Sequence, residues 1–330
     1  MRAMVLEAYG SPDQLRLMER PEPVLRRDDE VRVAIEAAAI NPVDWKIRSG
    51  HQRGLIWLRL PAILGFDFAG TVVEVGPKVS SCAVGDAVLG NAAVYGPGSY
   101  AEQVVVAAQN VVKRPPALDV AAAAALPLAG LTAYQCLLPW LSSRQGARVF
   151  VQAGAGGVGH LAIQIAKRFG AHVTTTASKR NHDVLKGLGA DEVIDYRNEE
   201  WWTRTYDLVL ESLGGPHRDR ALSAVERGGR VASINSDVKV LADRYGPFGG
   251  LLATGVRLGS FIVRGRLRGI DAATVVRRIA PDPLAELALW AAEGDLTVNI
   301  DRTFPLEDLP EAHRYGETGR IRGKVIITMT

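Results

Sequence analysis

Gly154-Ala155-Gly156-Gly157-Val158-Gly159 restricts the fold of this chain more than any other segment. The run Arg148-Val149-Phe150-Val151-Gln152-Ala153 before it reads as a buried strand, and residues 158–169, closed by Gly170, read as an apolar helix. Strand, glycine turn and helix in that order are the context in which G-x-G-x-x-G becomes a dinucleotide-binding loop. Gly154 allows the tight turn, Gly156 lets backbone approach a pyrophosphate, and Gly159 permits close packing of helix on strand, with the helix N-terminus facing the anion.

The alternation continues beyond the loop. Strands are expected at 171–176, 192–194, 207–210 and 230–234, and helices at 180–188 and 217–226. A parallel pair requires a crossover, so this pattern predicts a doubly wound parallel sheet, an α/β domain. A last strand is expected at 258–263, preceded by a long loop over 235–255 that would cover a cleft.

The end of the second strand bears on which dinucleotide binds. An NAD site needs an acid there to accept from the ribose 2′-hydroxyl, whereas this chain reads Thr176-Ala177-Ser178-Lys179-Arg180. Two cations and the Ser178 hydroxyl suit a 2′-phosphate, which an acid would repel. The expected cofactor is NADPH.

Residues up to about 116 read differently, as short apolar runs at 31–35, 70–76, 86–89 and 100–106 cut by Gly and Pro, which indicates an irregular β domain. The tail reads as helix 284–293, strand 296–300, helix 306–315 and strand 324–328, and is expected to return to that first domain. The division is therefore 1–118 with 278–330, interrupted by a nucleotide domain over 119–277. A length of 330 residues supports about two domains with their own cores.

With 47% hydrophobic and 23% charged residues the chain is neither disordered nor of low complexity. A net charge of +3 with cations scattered along the whole length gives no stripe for nucleic acid. Cys82 and Cys136 form neither a disulfide framework nor a four-ligand zinc spacing, which suits a reducing cytoplasm. The uncharged run between Asp119 and Arg144 is long enough to span a bilayer. Pro127, Gly130, Thr132, Gln135 and Pro139 interrupt it, so two buried helical pieces joined at 127–130, and no membrane span, are expected.

Several motifs in one order, Asn41-Pro42-Val43-Asp44-Trp45-Lys46, Gly65-Phe66-Asp67-Phe68-Ala69-Gly70, Leu126-Pro127-Leu128-Ala129-Gly130-Leu131-Thr132, the glycine loop, Gly189-Ala190-Asp191-Glu192-Val193-Ile194-Asp195-Tyr196 and Gly323-Lys324-Val325-Ile326, carry a resemblance over essentially the whole chain. It resembles the zinc-free medium-chain dehydrogenase/reductase superfamily, in its quinone oxidoreductase and enoyl reductase branch. The resemblance implies a GroES-like catalytic domain interrupted by a Rossmann domain, with the active site in the cleft between them and a homodimer paired through the strand 258–263. Zinc-dependent members hold their metal with a cysteine where this chain has Asn41 and a Gly-His-Glu where it has Gly65-Phe66-Asp67. Without thiolate or imidazole at those places no tetrahedral zinc site is expected.

A hydride delivered to an enone carbon or to a quinone pushes charge onto oxygen, so a metal-free site needs donors aimed there. The resemblance puts Asn41, Asp44 and Lys46 beside the nicotinamide ribose and the substrate: Asn41 as amide donor, Asp44 as acceptor from a ribose hydroxyl, Lys46 to stabilise or protonate an enolate. It also implies that Thr132 contacts the cofactor near its nicotinamide end, that Gly157 and Val158 offer N–H groups to the pyrophosphate, and that Tyr196 lies near the adenosine 2′-phosphate. Tyr100 matches a family signature and reads as structural. Quinone, enone and enoyl-thioester substrates stay open, as does a low-turnover NADPH-binding regulatory protein on the same fold.

Overall fold

The structure, a computed structural model, describes residues 1–93 and 96–329. The chain divides into two compact units, Met1–Leu131 with Arg278–Thr330, and Thr132–Arg277. The first boundary falls inside the helix Val120–Leu141 rather than ahead of it.

In the first unit the long strand Glu30–Ile40 organises the sheet. Val31, Val33 and Ile35 alternate inward with polar neighbours outward, which suits a pleated, half-buried surface. Among the described residues the sheet runs Ile300–Pro305, Lys324–Thr328, Glu30–Ile40, Asp67–Val75, Ala87–Asn91 and Val111–Lys113, and Gln103–Ala107 also pairs with Glu30–Ile40. The tail strand Lys324–Thr328 thus lies antiparallel to the end of Glu30–Ile40, with Val325 opposite Ile40. The strand expected at 296–300 begins only at Ile300 and continues to Pro305. The larger apolar core of this unit includes Phe68, Tyr100, Val104, Leu306 and Ile327, and a smaller cluster forms around Ala3, Val5 and Ala101.

The helix Val120–Leu141 runs unbroken through Pro127, where two pieces were expected. Alanine-rich flanks and burial carry the helix past the position where the proline ring removes a donor and crowds the preceding turn. Two-thirds of its most apolar window is buried, so the uncharged run serves as a core helix.

The second unit holds a parallel six-stranded sheet in the order Glu192–Ile194, His172–Thr176, Arg148–Val151, Tyr206–Glu211, Val225–Ser233 and Asp271–Thr274. Strand order reverses direction between Arg148–Val151 and Tyr206–Glu211, the switch point at which doubly wound sheets open a ligand crevice. Phe150 stacks on Trp201, ring centroids 4.2 Å apart, within this unit's core.

Two expectations fail here. Residues 258–263 are not a strand, and beyond Asp237 the expected loop 235–255 is not a loop: 258–263 and 238–255 belong to the helical stretch Val238–Leu267, broken by Gly246 at φ 72°. The outer strand is Asp271–Thr274 instead. Leu-Gly-Ser-Phe-Ile-Val is short, apolar and β-prone, and such a run does not reveal its own period. Its period is set by Gly250, Thr254, Phe261 and Gly265, which form the buried face of a helix.

Candidate active site

The first unit's polar cluster begins where Glu30–Ile40 ends. Pro42 fixes the first turn of the helix Pro42–Arg48, and Asp44 reaches back to accept from the Asn41 N–H at 2.7 Å, half of a capping box. The same carboxylate oxygen accepts from the Tyr100 hydroxyl at 2.7 Å, so Tyr100 locks the helix start. Asp44 is fully buried, and desolvation raises its pKa to about 7 against the lowering effect of these two hydrogen bonds. Burial and the neighbouring Asp44 together push the Tyr100 phenol well above its ordinary range.

Around Asn41 the cluster closes on itself. Its amide nitrogen donates to Asp67 at 2.9 Å and to the Ala39 carbonyl at 3.3 Å, while its oxygen accepts from the Lys324 ammonium. Lys324 also donates to the Ile40 carbonyl at 3.2 Å and lies 3.5 Å from Asp67. Asp67 further accepts from Asn91 and from the Leu128 N–H, at 3.0 Å, immediately after Pro127. Burial lowers the Lys324 pKa, and Asp67 and Asp44 oppose that fall. His313 packs edge-on to Tyr100, ring centroids 5.8 Å apart, and burial and Arg48 push its pKa down to about 3, leaving the ring neutral.

Sequence reasoning expected Asn41 to donate to a substrate oxygen and Asp44 to accept from a ribose hydroxyl. In the structure both side chains are enclosed and bonded to protein partners, because buried polar groups must be satisfied where they stand. Lys46 is half-buried on the same short helix. Asp67 and Lys324 were not foreseen as partners of Asn41, nor Asn91 as a partner of Asp67, and only the strand pairing of Lys324–Thr328 with Glu30–Ile40 reveals Lys324.

In the second unit the glycines sit as the motif requires. A Cβ on Gly154 would come within 2.2 Å of the Thr175 hydroxyl, and one on Gly159 within 2.4 Å of the Ala153 carbonyl. Gly156 is different: its nearest neighbour would be Ala153 O at 3.3 Å, so its missing side chain keeps the loop's outer face bare. Ala153 itself takes a positive φ of 55°, unusual for a residue with a Cβ. Gly157 and Val158 lead into the helix Gly159–Arg168. Ser178, Lys179 and Arg180 follow the strand His172–Thr176, and Tyr196 follows its neighbour Glu192–Ile194, joined by the bond from Ala177 N–H to the Ile194 carbonyl. The structure thus brings those four residues to one edge of the sheet, with Lys179, Arg180 and Tyr196 exposed. These groups fit a phosphorylated dinucleotide: bare backbone for the pyrophosphate and a cationic turn with no acid for a 2′-phosphate. Thr132 lies buried in the helix Val120–Leu141.

A network invisible in the sequence braces the carboxyl ends of the two strands beyond the switch point. Buried Arg218 donates to Ser233 at 3.2 Å and to Asp237 at 2.9 Å, and Ser233 donates to Glu211 at 2.6 Å. Glu211 accepts from the Leu213 N–H at 2.7 Å, and Asp237 from the Gly215 N–H at 2.7 Å, fixing the loop that leaves the strand Tyr206–Glu211.

Comparison with known proteins follows this division. The alcohol dehydrogenase GroES-like domain family matches residues 27–116, and the zinc-binding dehydrogenase family matches residues 188–327. The mouse mitochondrial NAD(P)H oxidoreductase RTN4IP1 is 30% identical across all of this chain and 89% of its own length. The trans-enoyl reductase pgmF of Aspergillus terreus is 34% identical over 91% of this chain and 86% of its own. The quinone oxidoreductase of Coxiella burnetii superposes with a TM-score of 0.88 at 33% identity, covering 100% of this chain and 99% of that one. The zinc in one family description does not fit the residues here: Asn41, Phe66 and Asp67 offer neither thiolate nor imidazole, and the ammonium of Lys324 already bonds to Asn41 and lies beside Asp67. The chain belongs to the medium-chain dehydrogenase/reductase superfamily, in its quinone oxidoreductase and enoyl reductase branch.

Proposed function

We propose that this protein is an NADPH-dependent reductase of quinones or of the C=C bond in α,β-unsaturated carbonyls, acting without a metal. The observation that carries the reading is the joint presence of a bare phosphate loop after the strand Arg148–Val151 and the acid-free turn Ser178-Lys179-Arg180 after the adjoining strand His172–Thr176. The activities for which relatives are named, quinone and trans-enoyl reduction, support the reaction class. NADPH supplies the hydride when bound. Gly157 and Val158 hold its pyrophosphate, Lys179, Arg180 and Tyr196 its 2′-phosphate, and Thr132 its nicotinamide end.

Lys46 faces the substrate in this reading, stabilising negative charge on oxygen and returning a proton to an enolate. Asn41 and Asp44 act through it as positioning residues, setting the start of the helix that carries Lys46. Buried, unpaired Cys82 and Cys136 support a reducing compartment. A panel of quinones, enals and enoyl thioesters, each followed by NADPH oxidation with NADH as control, tests the proposal. Binding of NADPH with no turnover on any of them would point instead to a regulatory NADPH-binding protein.

A further inference from the structure

The stretch 247–267 packs on its unit through Gly250, Thr254, Phe261 and Gly265. Directly opposite that buried face runs an apolar stripe. Phe248 (72% exposed), Leu252 (73%), Val256 (67%), Val263 (55%) and Leu267 (82%) fall within about 100° of the helix circumference and along about 28 Å of its length. Contiguous exposed apolar surface of this kind marks an interaction site.

The surrounding charge decides what the stripe meets. Residues 244–270 hold five arginines and no aspartate or glutamate. Arg257 and Arg264, on one flank of the stripe, face acids of their own unit, 3.8 Å from Asp237 and 2.6 Å from Asp219 respectively. Arg266 and Arg268, at the end of the helix, are exposed and form no ion pair among the described residues. The Gly228 N–H donates to the Gly269 carbonyl at 2.8 Å, which sets the exposed and likewise unpaired Arg227 beside them. The outer side of this helix is thus apolar along its crest, with uncompensated positive charge at one end.

We infer that this face docks on the surface of a lipid bilayer containing anionic phospholipid. Such a surface offers apolar depth and negative charge at one boundary. A helix lying in its plane uses both, its apolar side chains entering while its arginines stay among the headgroup phosphates. A protein groove would have to be shaped to the stripe, whereas lipid adapts to a convex crest. Length and composition alone would let the stretch cross a bilayer. Buried Phe261 and the ion pairs of Arg257 and Arg264 hold it on its unit, so it lies on the membrane rather than spanning it.

Co-sedimentation of the full-length protein with vesicles tests the inference. The protein is expected to sediment with vesicles of phosphatidylcholine and phosphatidylglycerol, and far less with phosphatidylcholine alone. Leu252→Glu should weaken that binding at least about tenfold, and Arg227→Ala, Arg266→Ala and Arg268→Ala about fivefold each. Thermal melts should not change, because all four side chains are exposed. Depth is read with an environment-sensitive fluorophore on an introduced cysteine, the native pair being buried. A label on Val256→Cys should brighten and shift to the blue on the anionic vesicles. One on Val184→Cys, in the helix His182–Gly187 beside the opposite edge of the same sheet, should not.

Absence of sedimentation overturns the inference, as does sedimentation that Leu252→Glu leaves unchanged or a label at position 256 that stays silent. Val256→Cys forming a disulfide dimer under mild oxidation without lipid would give the stripe to a second copy of the chain and overturn it equally.

Discussion

The ammonium of Lys324 donates to the side-chain carbonyl of Asn41, tying the last strand of the chain to the cap of the helix that carries Lys46. The tie matters because it holds the amide oxygen of Asn41 while Asp67 and Ala39 hold its nitrogen, so the side chain is fixed at both ends. A buried cation beside a buried carboxylate is worth little against a hydrophobic pair, but removing one member leaves the other charge uncompensated.

Lys324→Met is therefore expected to destabilise the protein by about 3–5 kcal/mol, and the double variant Lys324→Met/Asp67→Asn by less than the sum of the two single changes. Urea denaturation of the four proteins measures the coupling. Strict additivity would show that the two charges do not support each other.

Asp44 predicts a pH signature. Its pKa is raised to about 7 in the folded chain, so between pH 4 and 7 the folded state holds a proton that the unfolded state has released. Its contribution to stability is fully present below about pH 4 and is lost as pH rises through about 7. Asp44→Asn keeps an acceptor for Tyr100 without titrating, so its stability relative to wild type should rise by a few kcal/mol across that window and flatten above it. A difference that does not vary with pH would refute the assignment.

Lys179 and Arg180 should set the cofactor preference. Lys179→Ala and Arg180→Ala are each expected to weaken NADPH binding by roughly tenfold, the value of one charge-assisted contact, and to leave NADH affinity unchanged. Equal wild-type affinity for the two cofactors, measured by titration, would remove the basis for the preference.

The loop glycines should separate binding from stability. Gly156→Ala adds a methyl group that meets only Ala153 O, at 3.3 Å, so the fold should survive while NADPH affinity falls at least about tenfold as the pyrophosphate loses its approach. Gly159→Ala drives a methyl group to 2.4 Å from the Ala153 carbonyl and should lower the melting temperature even without cofactor. Calorimetry with and without NADPH distinguishes the two, and a reversed pattern would contradict the loop's geometry.

Lys46→Ala should lower kcat on enones by about a hundredfold or more and spare quinones, whose oxygens take protons from water. Unchanged kcat on both substrate types at saturating NADPH would clear Lys46 of the chemistry.

The sequence by itself determined the parallel sheet, the glycine turn and the acid-free end of the second strand, because periodicity, glycine chemistry and local charge are properties of neighbouring residues. It did not determine what Asn41 and Asp44 touch. Asn41 meets Lys324 across 283 positions of chain and Tyr100 meets Asp44 across 56, and no local pattern encodes such encounters. The stretch 258–263 failed for a related reason: its β-prone composition was overruled by packing of Phe261 and Gly265 against the sheet's outer layer, where a Cβ on Gly265 would come within 2.3 Å of Ala272. Tertiary structure decided which polar groups are enclosed, because burial depends on what the rest of the chain brings alongside, and it gave Asn41 and Asp44 protein partners that no local pattern announced.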